Sequence, residues 1–283
     1  MIGDPIAHSL SPAIHNAAYA AMGLDALYVP FRVPAGSDVA AFLRSHAALG
    51  FEGFSVTLPH KVAALAAADE VDDVARKIGA ANTITVRPDG HLHASNTDAD
   101  AAVGELSRAF RASDRSDASD SSDASDSLSN KTVLVLGAGG AARAVAWGLV
   151  ARAGARVVVA NRSRERGEGL AHELGAEFRS PGDLAGLVFD AVVNTTPVGM
   201  HPKTDATPLA PGLIRPGTVV FDTIYNPLET RLLREAKERG ARCVDGLGMF
   251  VEQGARQVEL WTGRAAPRDA MRRAALRKLG AQL

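Results

Sequence analysis

Cysteine is almost absent from this chain: Cys243 is the only one in 283 residues. An internal disulfide framework is therefore excluded, and a reducing, cytoplasmic setting is expected. The apolar neighbours of Cys243 predict a buried structural thiol rather than a nucleophile. Charge of one sign is not in excess either. With 31 Lys+Arg against 32 Asp+Glu, nothing argues for a nucleic-acid-binding surface. Hydrophobic residues make up 46% of the chain, yet no apolar run approaches the roughly 20 residues that span a bilayer. The opening Met1-Ile2-Gly3-Asp4-Pro5 lacks a basic segment followed by an apolar one, which argues against a secretory signal. His8, His15 and His60 stand at no metal-ligand spacing, and His91-x-His93 alone is too sparse for zinc, so no metal site is expected.

Apolar residues are also nearly missing from one internal segment. Residues 113–127 are almost wholly Ser and Asp, with Asp recurring at 114, 117, 120, 123 and 126. Such a stretch cannot bury enough apolar surface to offset the entropy of ordering it. A disordered linker is expected over 112–130. It separates a first domain, 1–105, from a second, 131–249, and residues 250–283 are expected to complete the first.

The second part alternates strand and helix. Short β-branched runs at 132–136, 156–160, 190–194, 218–222 and 242–244 predict buried strands. Helical stretches are expected at 141–153, 164–174 and 228–239, which gives βαβ units and a parallel sheet. Before the linker, strands are expected at 27–32, 53–57 and 82–87, with helices near 12–22, 39–49 and 61–70. An Arg-rich amphipathic helix over 266–279 reads as a packed terminal element.

The clearest motif is Gly137-Ala138-Gly139-Gly140-Ala141-Ala142. It directly follows a predicted strand and opens a helix, the context a dinucleotide loop needs. Small residues permit a tight turn and close backbone approach, so a helix N-terminus can meet a pyrophosphate. The next strand ends in Asn161-Arg162-Ser163-Arg164, with Arg166 beyond and no acidic residue for a ribose 2′-hydroxyl. Arginines there suit a 2′-phosphate, so NADP is favoured over NAD.

Ahead of that loop stand Lys61, in Ser55-Val56-Thr57-Leu58-Pro59-His60-Lys61, and Asp98, in Asn96-Thr97-Asp98. A basic and an acidic side chain ahead of a nucleotide fold suggest proton transfer coupled to a redox cofactor. Plainer readings stand beside this one. Lys61 also fits the exposed first turn of a helix, Asp98 a helix N-cap, and Ser9 and Ser11 a turn before the helix at Pro12.

The motifs together resemble the shikimate dehydrogenase family along almost the whole chain. They are Gly3-Asp4-Pro5-Ile6-Ala7-His8-Ser9-Leu10-Ser11-Pro12 with His15-Asn16, Ser55 to Lys61, and Gly79-Ala80-Ala81-Asn82-Thr83. Asn96-Thr97-Asp98, the Gly137 loop, Asn161-Arg162-Ser163 and Asn194-Thr195-Thr196-Pro197-Val198-Gly199-Met200 follow. Tyr225-Asn226-Pro227 and Asp245-Gly246 with Gln253 close the series. The resemblance implies an α/β protein with a Rossmann-type NADP-binding domain, an α/β substrate-binding domain and an active site in the interdomain cleft. It implies Lys61 and Asp98 as the catalytic pair. Ser9, Ser11 and Tyr225 would hold a substrate carboxylate, and Thr57, Asn82, Asp98 and Gln253 the ring hydroxyls. The nucleotide would contact Gly137, Ala138, Gly139, Gly140, Ala141, Asn161, Arg162, Ser163, Arg164, Arg166, Thr195, Ile224 and Gly246, with Asp73 towards the nicotinamide.

The implied reaction is the reversible, NADPH-dependent reduction of 3-dehydroshikimate to shikimate, in aromatic amino acid biosynthesis. Quinate and aminoshikimate dehydrogenases share the scaffold and remain alternatives. A regulator that senses shikimate and NADP without turnover is a third, disfavoured by the intact Lys61/Asp98 pair. Small molecules are the expected partners, with no membrane or nucleic acid, and the chain is expected to be a monomer or homodimer. Ala94 and Ala101 depart from glycines usual in the family, and Met1-Ile2-Gly3 stands where the family has a longer first strand, which leaves an upstream start open. The Ser/Asp segment is no family feature.

Overall fold

The computed structural model describes residues 1–112 and 126–281. The chain divides into two compact units, one formed by residues 1–98 and 251–283 and the other by 99–250.

Unit one begins with β1 (Ile2–Gly3), α1 (Ser11–Met22), β2 (Phe31–Arg32) and α2 (Val39–Ala47). It continues through β3 (Gly53–Ser55), α3 (Lys61–Ala67), β4 (Glu70–Val71), α4 (Asp73–Ile78), β5 (Thr83–Val86) and β6 (Leu92–Ser95). β1 and β2 pair in parallel, while a mixed sheet runs in the order β3-β5-β6-β4. Ile2, Leu43, Phe54, Ile84 and Leu92 fill its core. The strand expected at 27–32 shrinks to Phe31–Arg32. Its upstream end is claimed otherwise, because the Asn16 amide takes both the N–H and the C=O of Tyr28 at 2.7 and 3.0 Å. Pro30 then removes a ladder donor. The helix expected to reach residue 70 stops at Ala67, since Ala68 turns extended and Glu70 and Val71 pair with β6.

α5 (Asp98–Arg111) carries the chain into unit two, which holds β7 (Thr132–Leu136), α6 (Gly140–Ala151), β8 (Arg156–Ala160), α7 (Arg164–Leu174) and β9 (Glu177–Arg179). There follow β10 (Ala191–Asn194), β11 (Val219–Asp222), α8 (Arg231–Glu238) and β12 (Arg242–Val244). The six strands are all parallel in the order β12-β11-β10-β7-β8-β9. Counted from β7, this is the 3-2-1-4-5-6 winding of a dinucleotide-binding sheet, whose topological switch lies between β7 and β10. Val133, Val135, Val159 and Val193 are buried on one face, and Leu134, Val158, Val192 and Val220 on the other. Burial of both faces explains why these strands read as continuous apolar runs.

α9 (Leu247–Thr262) returns the chain to unit one, and α10 (Arg268–Leu279) packs there against α1. Arg268 ties α10 to α9 through Glu252 and Glu259, each at 2.7 Å. No helix among the described residues is long and apolar enough to cross a membrane.

Three expectations need correction. Cys243 is exposed, because it lies on β12 at the edge of the sheet, and its Sγ donates to the Leu233 carbonyl at 3.3 Å. The expected linker ends too late: Asp126–Leu128 form a 3-10 turn and Leu128 is fully buried, as its single large apolar side chain among serines allows. Residues 113–125 lie outside the described residues. Asp98 is the first residue of α5 rather than its cap, and the Asn96 side chain accepts from its N–H at 3.0 Å.

Candidate active site

In unit one, Lys61 opens α3 and Asp98 opens α5. The turn before Lys61 is pinned by His60, whose Nε2 donates to the Val33 carbonyl at 2.7 Å. The Lys61 Nζ donates to Asp98 Oδ2 at 2.6 Å. Both side chains are mostly withdrawn from solvent, at 14% and 8% exposure, so water screens the pair poorly. The other carboxylate oxygen, Oδ1, accepts from Asn82 Nδ2 at 2.9 Å, and the same amide donates to Thr97 Oγ1 at 2.9 Å. Thr97 passes its own proton to the Gln253 carbonyl at 3.0 Å. The Thr57 hydroxyl, on the loop between β3 and α3, has no hydrogen-bond partner among the described residues.

Ser9 and Ser11 form a separate pair. Ser9 Oγ donates to Ser11 Oγ and accepts from the Ser11 N–H, both at 3.2 Å. Beside them lies an open surface cavity of about 480 Å³, lined by His8, Ser9, Pro12, Asn16 and Lys278 among others. Below Ser11, His15 is fully buried and its Nδ1 donates to the Ser11 carbonyl at 2.9 Å. Burial pushes its imidazole down to about 4, so the ring is neutral in ordinary buffers. Asp73 lies in this unit, exposed as the first residue of α4, with Asp72 as the cap.

In unit two the glycine loop joins β7 to α6 at the switch point of the sheet. Gly137 has φ 117°, and a Cβ there would stand 2.7 Å from Thr195 Oγ1. Gly139 is the N-cap of α6, with no side-chain capping bond, no acidic group in the first turn and open space where a Cβ would stand. Bare helix N–H groups facing open space are what a pyrophosphate requires. At the end of β8, Asn161 Nδ2 donates to the Ser163 carbonyl at 2.9 Å. Arg162 and Arg166 are exposed and carry no ion-pair partner among the described residues. Arg164 is engaged: it pairs with Glu168 at 2.6 Å, donates to Ser180 Oγ at 3.3 Å and lies over the Phe178 ring.

Thr195 and Ile224 follow β10 and β11, and Gly246 N donates to the Ile224 carbonyl at 3.1 Å. Tyr225 is held by stacking on Phe250 at 4.0 Å between ring centroids. Sequence reasoning missed the group that orders these loops, Asp222. Fully buried at the end of β11, it accepts from Asn194 Nδ2, the Ile224 N–H and Thr230 Oγ1 at 3.0, 3.1 and 2.7 Å. Burial raises its carboxyl to about 6, against the opposing pull of those donors. The available signal was a lone acid ending an apolar strand, three residues before Tyr225.

The donor set in unit one and the cradle in unit two agree with what known proteins show. The family model for the shikimate dehydrogenase substrate binding domain matches residues 1–84, that for shikimate / quinate 5-dehydrogenase matches 120–194, and that for the shikimate 5'-dehydrogenase C-terminal domain matches 246–276. The shikimate dehydrogenase (NADP(+)) of Geobacillus kaustophilus is 43% identical over 93% of this chain and 91% of its own. That of Symbiobacterium thermophilum is 44% identical over 100% and 94%. Among solved structures, Thermus thermophilus shikimate 5-dehydrogenase in complex with NADP(H) and shikimate superposes with a TM-score of 0.82 at 37% identity, covering 98% of each chain. A shikimate dehydrogenase in complex with NADP+ reaches 0.87 at 37% identity, covering 98% and 94%. At such identity over nearly its whole length, the chain belongs to the shikimate dehydrogenase family.

Proposed function

We propose that the protein catalyses the reversible, NADP-dependent interconversion of 3-dehydroshikimate and shikimate, as a cytoplasmic enzyme of aromatic amino acid biosynthesis. The observation that carries this reading is the withdrawn ion pair between Lys61 and Asp98, bonded at 2.6 Å. An ammonium has three protons. One is committed to Asp98, which leaves the others for a keto oxygen. NADPH, when bound, supplies the hydride. As charge develops on the substrate oxygen, Lys61 stabilises it and delivers a proton, and in the reverse direction Lys61 takes the proton from the hydroxyl. Asp98 holds the ammonium in place, and Asn82 holds Asp98.

Thr57 offers an unclaimed hydroxyl to a ring hydroxyl of the substrate, and Asn82, Asp98 and Gln253 are the further candidates. Ser9 and Ser11 are read as the carboxylate anchor: neutral donors bind an anion without burying a counter-charge. The backbone from Gly137 to Ala141 fits the pyrophosphate, with Thr195, Ile224 and Gly246 nearby in sequence to the loops that follow β10 to β12. Arg162 and Arg166 suit a 2′-phosphate.

Lys61→Ala tests the reading. It should lower kcat by roughly 10²–10⁴, the range of a lost general acid/base, with a smaller change in KM. Turnover is measured as shikimate-dependent NADP+ reduction, with quinate in parallel. Wild-type kcat in the purified variant would remove Lys61 from the mechanism, and preferred turnover of quinate would reassign the substrate.

A further inference from the structure

Asn82 supplies the second donor to Asp98, and its amide can do so only in one of two orientations. Its oxygen must face away from the carboxylate, towards donors. The structure provides them: Asn82 Oδ1 accepts from the Thr97 N–H at 2.9 Å and from Thr83 Oγ1 at 2.7 Å. The first is a donor by nature. The second is a hydroxyl, which can turn either way. What fixes its direction lies one step further, on α9.

Gln257, 1% exposed, donates through Nε2 to the Asn82 carbonyl and to Thr83 Oγ1, each at 3.0 Å. Because Nε2 can only donate, the Thr83 hydroxyl must accept from it and spend its proton on Asn82 Oδ1. The orientation of Gln257 is itself set. Its Oε1 accepts from Ser55 Oγ at 2.7 Å, and Ser55 accepts from the Tyr28 hydroxyl at 2.5 Å. A directed chain of hydrogen bonds thus runs from Tyr28 through Ser55, Gln257, Thr83 and Asn82 to Asp98, and Lys61 donates to Asp98 from its other side. Every side chain in it except that of Lys61 is buried. Such a chain, satisfied at each member, makes each bond depend on its neighbour.

We propose that Gln257 is a positioning residue for the Lys61–Asp98 pair. It acts by forcing Thr83 to hold the Asn82 amide with its NH2 towards Asp98. Gln257 makes no hydrogen bond to Lys61 or Asp98 among the described residues. The inference rests on the proton-handling role given to that pair above.

Two variants break the chain differently. In Gln257→Glu, a carboxylate keeps the bond from Ser55 but invites the Thr83 hydroxyl towards itself. In Thr83→Val, the hydroxyl is replaced by a methyl at nearly constant volume. Each should lower kcat for shikimate oxidation roughly 3- to 10-fold, the rate equivalent of about one neutral hydrogen bond. KM for NADP+ should be unchanged. The solvent deuterium isotope effect on kcat should exceed that of the wild type, because the proton step becomes slower.

The measurements are made on purified full-length variants whose circular dichroism matches the wild type, and Thr83→Val decides the matter if Gln257→Glu does not fold. A wild-type kcat, or a lowered kcat with an unchanged isotope effect, would overturn the proposal and leave Gln257 a packing residue. If Lys61→Ala keeps full turnover, the underlying mechanism fails instead. An inactive Lys61→Ala beside wild-type-like Gln257 and Thr83 variants refutes this inference alone.

Discussion

Arg162, Arg164 and Arg166 show how much a single side chain's partners decide. Arg162 follows β8 and Arg164 and Arg166 lie in the first turn of α7, and the sequence offers all three to a 2′-phosphate. The structure separates them. Arg164 is committed to Glu168, Ser180 and the Phe178 ring, while Arg162 and Arg166 have no ion-pair partner among the described residues. A hydrogen bond to a charged group contributes roughly 1.5–3 kcal/mol, so Arg162→Ala and Arg166→Ala should each lower kcat/KM for NADP+ about 10- to 100-fold. The value for NAD+ should barely move. Arg164→Ala removes an exposed i,i+4 pair, worth about 0.5 kcal/mol or less, and should leave both cofactors nearly unaffected. Parallel kcat/KM measurements with the two cofactors check this, and a selective loss of NADP+ in Arg164→Ala would reverse the assignment. At this scale the sequence exposed residue types through dense polar motifs such as Asn96-Thr97-Asp98. It hid Gln257 and Asp222, and it showed Ser55 only as a motif residue: the bond between Ser55 and Gln257 spans 202 positions of the chain and is made only by folding.

The turn between β7 and α6 places two glycines under different constraints. Gly137 needs its backbone: φ is 117°, and a Cβ would stand 2.7 Å from Thr195 Oγ1. Gly139 has φ −88° and nothing within 4 Å of a Cβ, so its backbone would accept alanine. Gly137→Ala should therefore lower Tm, since a strained backbone costs of order 1–3 kcal/mol, and should also weaken NADP+. Gly139→Ala should keep Tm and lose cofactor affinity, because its methyl would occupy the space a phosphate approaches. Calorimetric Tm and NADP+ titration of both variants test the split. A Gly139→Ala protein that binds NADP+ like the wild type would place the pyrophosphate elsewhere.

Unit two was readable at the level of elements because doubly buried strands appear as apolar runs and its loop has a fixed motif. Unit one was harder. β1 and β4 are each two residues long, too short to carry a period, and α4 is announced only by Asp72 before it and Gly79, at φ 72°, after it. β6, at four residues, shows burial at three of its four positions rather than a clean alternation.

Across the whole molecule, two buried groups bias stability in opposite directions with pH. Asp222 has its carboxyl raised from 3.8 to about 6 by burial. Its contribution is fully present below pH 3.8 and is lost as pH rises through about 6. His15 has its imidazole lowered from 6.5 to about 4 by burial. Its contribution is present above pH 6.5 and is lost as pH falls towards 4. Each displacement, of roughly two units, corresponds to about 3 kcal/mol, so between pH 4 and 6 the slopes largely offset one another. Removing one should expose the other. In Asp222→Asn the amide can keep all three bonds, its oxygen facing Asn194 and the Ile224 N–H and its NH2 facing Thr230, so the titration alone is deleted. The Tm of this variant relative to wild type should then climb from pH 4 to pH 7. His15→Phe keeps the ring stacked on Tyr28, 4.1 Å away in the native protein, but loses the bond to Ser11 at every pH. Its Tm relative to wild type should climb in the other direction, from pH 7 down to pH 4. Scanning calorimetry across that range reads both, and offsets that stay constant with pH would show that neither group titrates between its folded and unfolded values as burial dictates.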